Sequence, residues 1–200
     1  MEPLTLLMAV ATVAYFINAR DQKRRIALLQ SYLSQQNIEK LMEDLTQGYM
    51  RALGEADLER QGQIWNLLTT AEQALAMQFK QLAKEFASVD EASARVSKLA
   101  FSIPFASQLL PSTTFDLRKL LSIHAQGIAN AADNVLNQSP KNKAFTMTSE
   151  LFLMQHTCHW FCRSKTVASA RLWARHKTTY AQLLAAVAPA TGKAYGALTA

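Results

Sequence analysis

The residues best suited by type and spacing to do chemistry are His156-Thr157-Cys158-His159-Trp160-Phe161-Cys162. Thiolates and imidazoles one helical turn apart can share a zinc ion, and two cysteines can pass between thiol and disulfide. The placement argues against both. Cys158 and Cys162 fall on an apolar helical stripe, where a reduced cysteine behaves as a small hydrophobe. His156 and His159 lean away toward a basic face, and a closed site would need a ligand from another helix, for which His124 is the evident candidate. A disulfide within one turn would also constrain little. The cluster is therefore expected to be structural, with no metal ligand and no cofactor assigned; a metal-binding or thiol redox-sensing protein is the alternative function.

The second chemical feature is charge. The chain carries a formal +6, yet all of its Asp and Glu lie at or before Glu150, so the excess belongs to Arg163, Lys165, Arg171, Arg175, Lys177 and Lys193. At 100° per residue, Arg163, Arg171, Arg175 and Lys177 share one side of a helix, with Trp160, His156 and His159 nearby. Such a face suits an anionic partner, either anionic lipid or an acidic protein surface, each headgroup contact contributing about 1 kcal/mol. Nucleic acid is the rival partner, since its phosphates use the same cations, but nothing requires bases to be read. A solvated face pairing with acids of the same chain or another copy, as in a homo-oligomer, is the plainer account.

Signs of catalysis are missing. No serine, histidine and acid share a local setting, no glycine-rich phosphate loop occurs among six scattered glycines, and Glu43-Asp44 sits on a solvated helix. The expectation is an interaction or scaffold protein rather than an enzyme.

The element that must position all of this is the run PLTLLMAVATVAYFINA, Pro3 to Ala19, followed by Arg20, Lys23, Arg24 and Arg25. As a helix the run covers about 25 Å, close to the hydrocarbon thickness of a bilayer, and the cations behind it can sit among headgroups. A cleavable signal would need positive charge before the apolar run, which Met1-Glu2-Pro3 lacks; a soluble helix buried all round is the other competitor. The Lys/Arg excess after the run places the body in the cytoplasm, so the expected protein is a single-pass protein of the inner (plasma) membrane, its two cysteines reduced.

Beyond the anchor, no proline occurs from Leu4 to Ile103 or from Lys141 to Ala188, and alternation typical of strands is absent. The fold class is all-α: a transmembrane helix followed by an antiparallel helical bundle. Residues 1–25 are assigned to the anchor with its basic flank, 26–36 to a projecting helical stalk, 37–188 to the bundle and 189–200 to a tail. Within the bundle, a helix begins after Asn37; a Gln-rich helix from Glu55 to Phe86 offers a seam for helix pairing; a short helix runs from Asp90 through Phe101. Further helices are expected from Phe115 to about Leu136 and, singly or as a pair, from about Thr148 to Ala188. The apolar connection holding Ile103, Phe105, Leu109 and Leu110 should tuck under the bundle or reach toward the bilayer.

Overall fold

A computed structural model describes residues 3–102 and 110–200. Helix α1, Pro3–Leu33, is a single 31-residue rod. It is long and apolar enough to cross a membrane, with a mean hydropathy of 1.3 over its most apolar window, none of which is buried by the protein. Helices α2 (Ile38–Gly54) and α3 (Leu58–Phe86) follow. Gly54 ends α2 rather than bending it, and Asp57 caps α3 by accepting hydrogen bonds from the Glu59 and Arg60 amides.

The helix expected from Asp90 through Phe101 stops after one turn, α4 (Glu91–Ala94). Strand β1, Arg95–Ser97, then pairs antiparallel with β2, Thr114–Asp116, Val96 opposite Phe115. Both of these central residues are buried, so the ladder puts its apolar side chains into the core. Residues 103–109, and with them Ile103, Phe105 and Leu109, lie outside the described residues; Leu110 is exposed. Helix α5 (Leu117–Ala132) starts behind Asp116, whose side chain accepts from the Arg118 amide. It ends before Leu136, where Asn134 and Asn137 both take left-handed backbone angles.

Helix α6, Pro140–Cys162, begins earlier than the expected Thr148, because Ser139 caps it and Pro140 occupies its first turn. The C-terminal helix or pair of helices expected up to Ala188 is in fact three: α6, α7 (Lys165–His176) and α8 (Tyr180–Ala186). Ser164 caps α7, Lys177 closes it with φ 53°, and a capping box of Thr179 and Gln182 opens α8. The expected tail is also ordered: α9, Pro189–Thr199, buries Tyr195 completely.

Helix α3 packs between α2 and α5, α5 against α6 and α9, and α6 against α7 and α1. One apolar cluster joins Leu45 and Tyr49 of α2, Leu75, Phe79 and Leu82 of α3, and Ile128 and Leu151. The other joins Leu29, Phe86, Phe115, Leu120, Trp160, Phe161 and Tyr195. Leu29 belongs to α1, so residues 26–33 are no projecting stalk. Ile26, Leu29 and Leu33 recur at helical spacing because that face is packed on α6 and on the end of α3, where Tyr32 is edge-on to Phe86 at 5.2 Å.

Candidate functional site, a basic groove beside the N-terminal helix

Four segments distant in sequence enclose one groove of ≈ 1140 Å³: the second half of α1, the start of α2, the end of α6, and α7. Its apolar lining comes from Ile26, Leu29, Ile38, Met42, Phe152 and Met154, with Cys158 and Cys162 among them. Arg163, Arg171 and Arg175 line it, as do Glu39, Lys40 and Glu43 of α2.

The direction of this arginine wall matters. Arg163 donates to the Gln22 side-chain oxygen, Arg171 to His159 Nδ1 at 3.1 Å, and His176 on α7 faces Gln155 at 3.4 Å. From Gln155 to Arg163 is eight residues of α6, a rise of about 12 Å. Because α6 runs back along α1, with Phe161 under Arg25 (5.3 Å from guanidinium to ring centre), the wall lies parallel to α1. Among the described residues, none of the three arginines forms an ion pair; those found join Arg25 to Asp21, Arg95 to Glu91, Arg118 to Asp116 and Lys143 to Glu72.

The expected four-cation face is therefore divided. Lys177 does not line the groove; it ends α7, and its ammonium donates to the Ala174 carbonyl at 3.3 Å. Trp160 and His156 are not on the basic face at all. Trp160 is 1% exposed and donates its indole N–H to the Ser97 carbonyl at 2.9 Å. His156 is buried, stacked on Tyr180 at 4.6 Å, and meets the Ser169 hydroxyl at 3.1 Å. The indole of Trp160 instead underlies Lys165, whose ammonium is 4.9 Å from the ring. The break at Ser164 is what separates these sides, since a continuous helix would have kept α6 and α7 in one projection.

The cysteine and histidine cluster is dispersed in the same way. His124 is buried and shares a hydrogen bond of 2.9 Å with Thr157; burial holds its imidazole neutral, down to about 3, with His156 adding to the effect. Burial, then Lys165 and His159, lowers His156 to about 4. His159 is lowered by burial and by Arg171 and Arg175. Cys158 lies against the Met154 sulfur at 3.4 Å, and burial, then Cys162, pushes its thiol up to about 12. Burial raises Cys162 to about 11 against the opposing pull of Arg25, Arg163 and Arg171. Thiols held protonated are poor nucleophiles and poor ligands. Among the described residues no group of three or more His, Cys, Asp or Glu is placed to hold a metal ion.

The collar after the apolar run divides too. Arg20, Lys23 and Arg24 are exposed, whereas Arg25 turns into the body: it pairs with Asp21 at 2.7 Å and donates to the Arg95 carbonyl at 3.0 Å.

Among the described residues two acids that the sequence did not single out as sites are buried, Glu72 of α3 and Glu150 of α6. Glu150 of α6 is fully buried; its Oε1 accepts from the Ala188 amide at 3.0 Å and its Oε2 faces Gly127 of α5. Burial raises its carboxyl to about 7, despite the hydrogen bonds from Thr191 and the Ala188 amide that favour the ionised form. Gly127 is the one signal that pointed here, since a side chain at that position would meet Glu150 and Thr191 oxygens at 2.5 Å.

No protein-family model, curated protein or solved structure matches this chain.

Proposed function

We propose that this is a single-pass membrane protein of the inner (plasma) membrane, its helical body in the cytoplasm, and that it acts as an adaptor whose groove docks an acidic amphipathic helix of a partner protein. Three arginines that form no ion pair among the described residues, set over an apolar floor, carry this reading. Two turns of a helix of 10–12 Å diameter occupy about 1000 Å³, which suits the ≈ 1140 Å³ of the groove. An apolar stripe would replace water over Ile38, Met42 and Met154, and carboxylates one turn apart would meet Arg171 and Arg175.

The direction of the wall favours a protein over the bilayer for this site. If α1 crosses the membrane near its normal, Arg163 stands close to the headgroups and Arg175 stands about 12 Å further out, beyond a screening length of about 8 Å. The bilayer is then met by the apolar half of α1 and by Arg20, Lys23 and Arg24, as the charge excess on that flank supports.

The test uses the full chain in nanodiscs of neutral lipid and a synthetic amphipathic helix bearing either a glutamate or a lysine stripe. The glutamate peptide should bind, the lysine peptide should not, and Arg171→Glu with Arg175→Glu should weaken the glutamate peptide at least tenfold, about 1.4 kcal/mol. Equal binding of the two peptides, or binding indifferent to the charge reversal, overturns the docking site. A reporter fused after Ala200 that is active only outside the cytoplasm overturns the orientation.

A further inference from the structure

Between Pro3 and Ala19 the one amide side chain is Asn18. An amide at the end of an apolar rod is unfavourable in lipid unless its hydrogen bonds are met within the protein. Both groups are met by one residue: Asn18 Nδ2 donates to the Ser102 carbonyl at 2.9 Å, and the Ser102 hydroxyl donates to Asn18 Oδ1 at 3.1 Å.

The chain reaches this clasp by running down α1. At its upper end the Arg95 carbonyl accepts from Arg25 and the Ser93 hydroxyl from Arg24. Seven residues after Arg95, Ser102 meets Asn18, which lies seven residues before Arg25, about 10 Å lower along the helix. The connection therefore passes the level of Arg20, Lys23 and Arg24 and arrives beside the apolar half of α1. Thr166 of α7 fixes it from the other side, its amide and hydroxyl donating to the Ala100 carbonyl at 3.2 and 2.7 Å. At this level Phe101 is 70% exposed, and no Asp, Glu, Lys or Arg occurs from Leu99 to Leu110.

We propose that Phe101 is seated in the interfacial layer of the bilayer, a second lipid contact whose depth is set by the Asn18–Ser102 clasp. The inference rests on α1 being a membrane span. Lipid is the occupant because the exposed ring immediately precedes Ser102, which is bonded to Asn18 at the end of the exposed apolar run of α1 and on the bilayer side of the cationic collar. A wedge there would hold the body against the membrane and limit rotation about α1, presenting the groove in one direction.

The full chain, with Cys158→Ala and Cys162→Ala, carries one environment-sensitive fluorophore at Phe101→Cys, Val10→Cys or Leu67→Cys, all three exposed positions. Each form is reconstituted in phosphatidylcholine–phosphatidylglycerol vesicles containing lipids brominated high or low on the acyl chain. Position 10 should be quenched best by low bromines, position 101 by high ones, and position 67 by neither. Adding Asn18→Leu should abolish quenching at 101 and leave it unchanged at 10. Position 101 as unquenched as 67, with 10 still quenched, overturns the lipid contact alone and leaves the span intact. Quenching at 101 that survives Asn18→Leu overturns the clasp as its cause. No quenching at 10 overturns the span and the contact with it.

Discussion

The two halves of α1 are one continuous helix in two different surroundings. From Leu4 to Phe16 nearly every position is exposed, including Leu7, Met8, Val10 and Phe16, each more than half accessible. From Ile26 to Leu33 the apolar residues are confined to one face, and Leu29 is 3% exposed against α6. A run that is apolar all round and exposed along its length leaves a large exposed patch in water, which soluble monomers rarely tolerate. A one-sided stripe is satisfied by a protein neighbour. The change is complete at Arg25, after Asn18 and Gln22 have already met Ser102 and Arg163, and from there the helix fills the bundle.

Substitutions of similar size should therefore do different things in the two halves. Leu29→Ala removes a buried side chain and should destabilise the body by about 2–5 kcal/mol, read as a lower unfolding midpoint in detergent, without releasing the chain from membranes. Val10→Arg places a charge near the centre of the apolar run, which costs about 2.5–3.5 kcal/mol of insertion. It should lower the membrane-associated fraction while the unfolding midpoint of the body stays where it was. If either substitution moved both readouts together, the division of α1 would be wrong.

Proton concentration should act on one half only, because Tyr15 is the one ionisable side chain between Leu4 and Ala19. Glu150 holds its proton up to about 7 in the folded body, against an ordinary value near 4.5. Between those values Glu150 is protonated in the folded state and ionised in the unfolded one, so its own contribution to stability falls as pH rises from 4.5 through 7 and levels off above, while the buried His124 and His156 contribute in the opposite direction below 6.5. The burial of Glu150 makes its contribution about 3 kcal/mol as an order of magnitude. In denaturation curves taken from pH 4.5 to 8, the stability of the wild type relative to Glu150→Gln should fall by that amount as pH rises, and membrane association should not follow pH in either form. A Glu150→Gln curve that runs parallel to the wild-type curve over this interval would contradict the assignment. A smaller effect at the same junction is expected of Gly127→Ala, which crowds Glu150 and Thr191 and should lose about 1–3 kcal/mol, again from the body alone.

Much of the architecture could be read from periodicity and punctuation. Seventeen uncharged residues followed by four cations mark α1, and stripes such as Leu75, Phe79, Leu82 and Phe86 mark a bundle helix. The stripe of Ile26, Leu29 and Leu33 was equally visible, but a helical period reports that a face is buried without saying on what. It thus read as a stalk when the partner was α6. The helix expected from about Thr148 begins earlier because Ser139-Pro140 is a cap followed by a first-turn proline. The break at Ser164 had neither glycine nor proline to announce it, and it carried Trp160 and His156 away from the arginines. The groove itself was out of reach, because its lining comes from four segments that only tertiary packing brings together.

A cysteine scan along α1 tests the central claim most directly. Single cysteines from Leu4 to Leu33, in the full chain with Cys158→Ala and Cys162→Ala, would be reacted with a membrane-impermeant maleimide after reconstitution in vesicles. The account predicts protection at every position from Leu4 to Phe16, then a helical rhythm beyond Arg20, with Ala27, Gln30 and Ser31 reactive and Leu29 protected. Uniform reactivity of positions 4–16, or the same helical rhythm continuing down through them, would contradict a rod that changes from lipid to protein surroundings at Arg25.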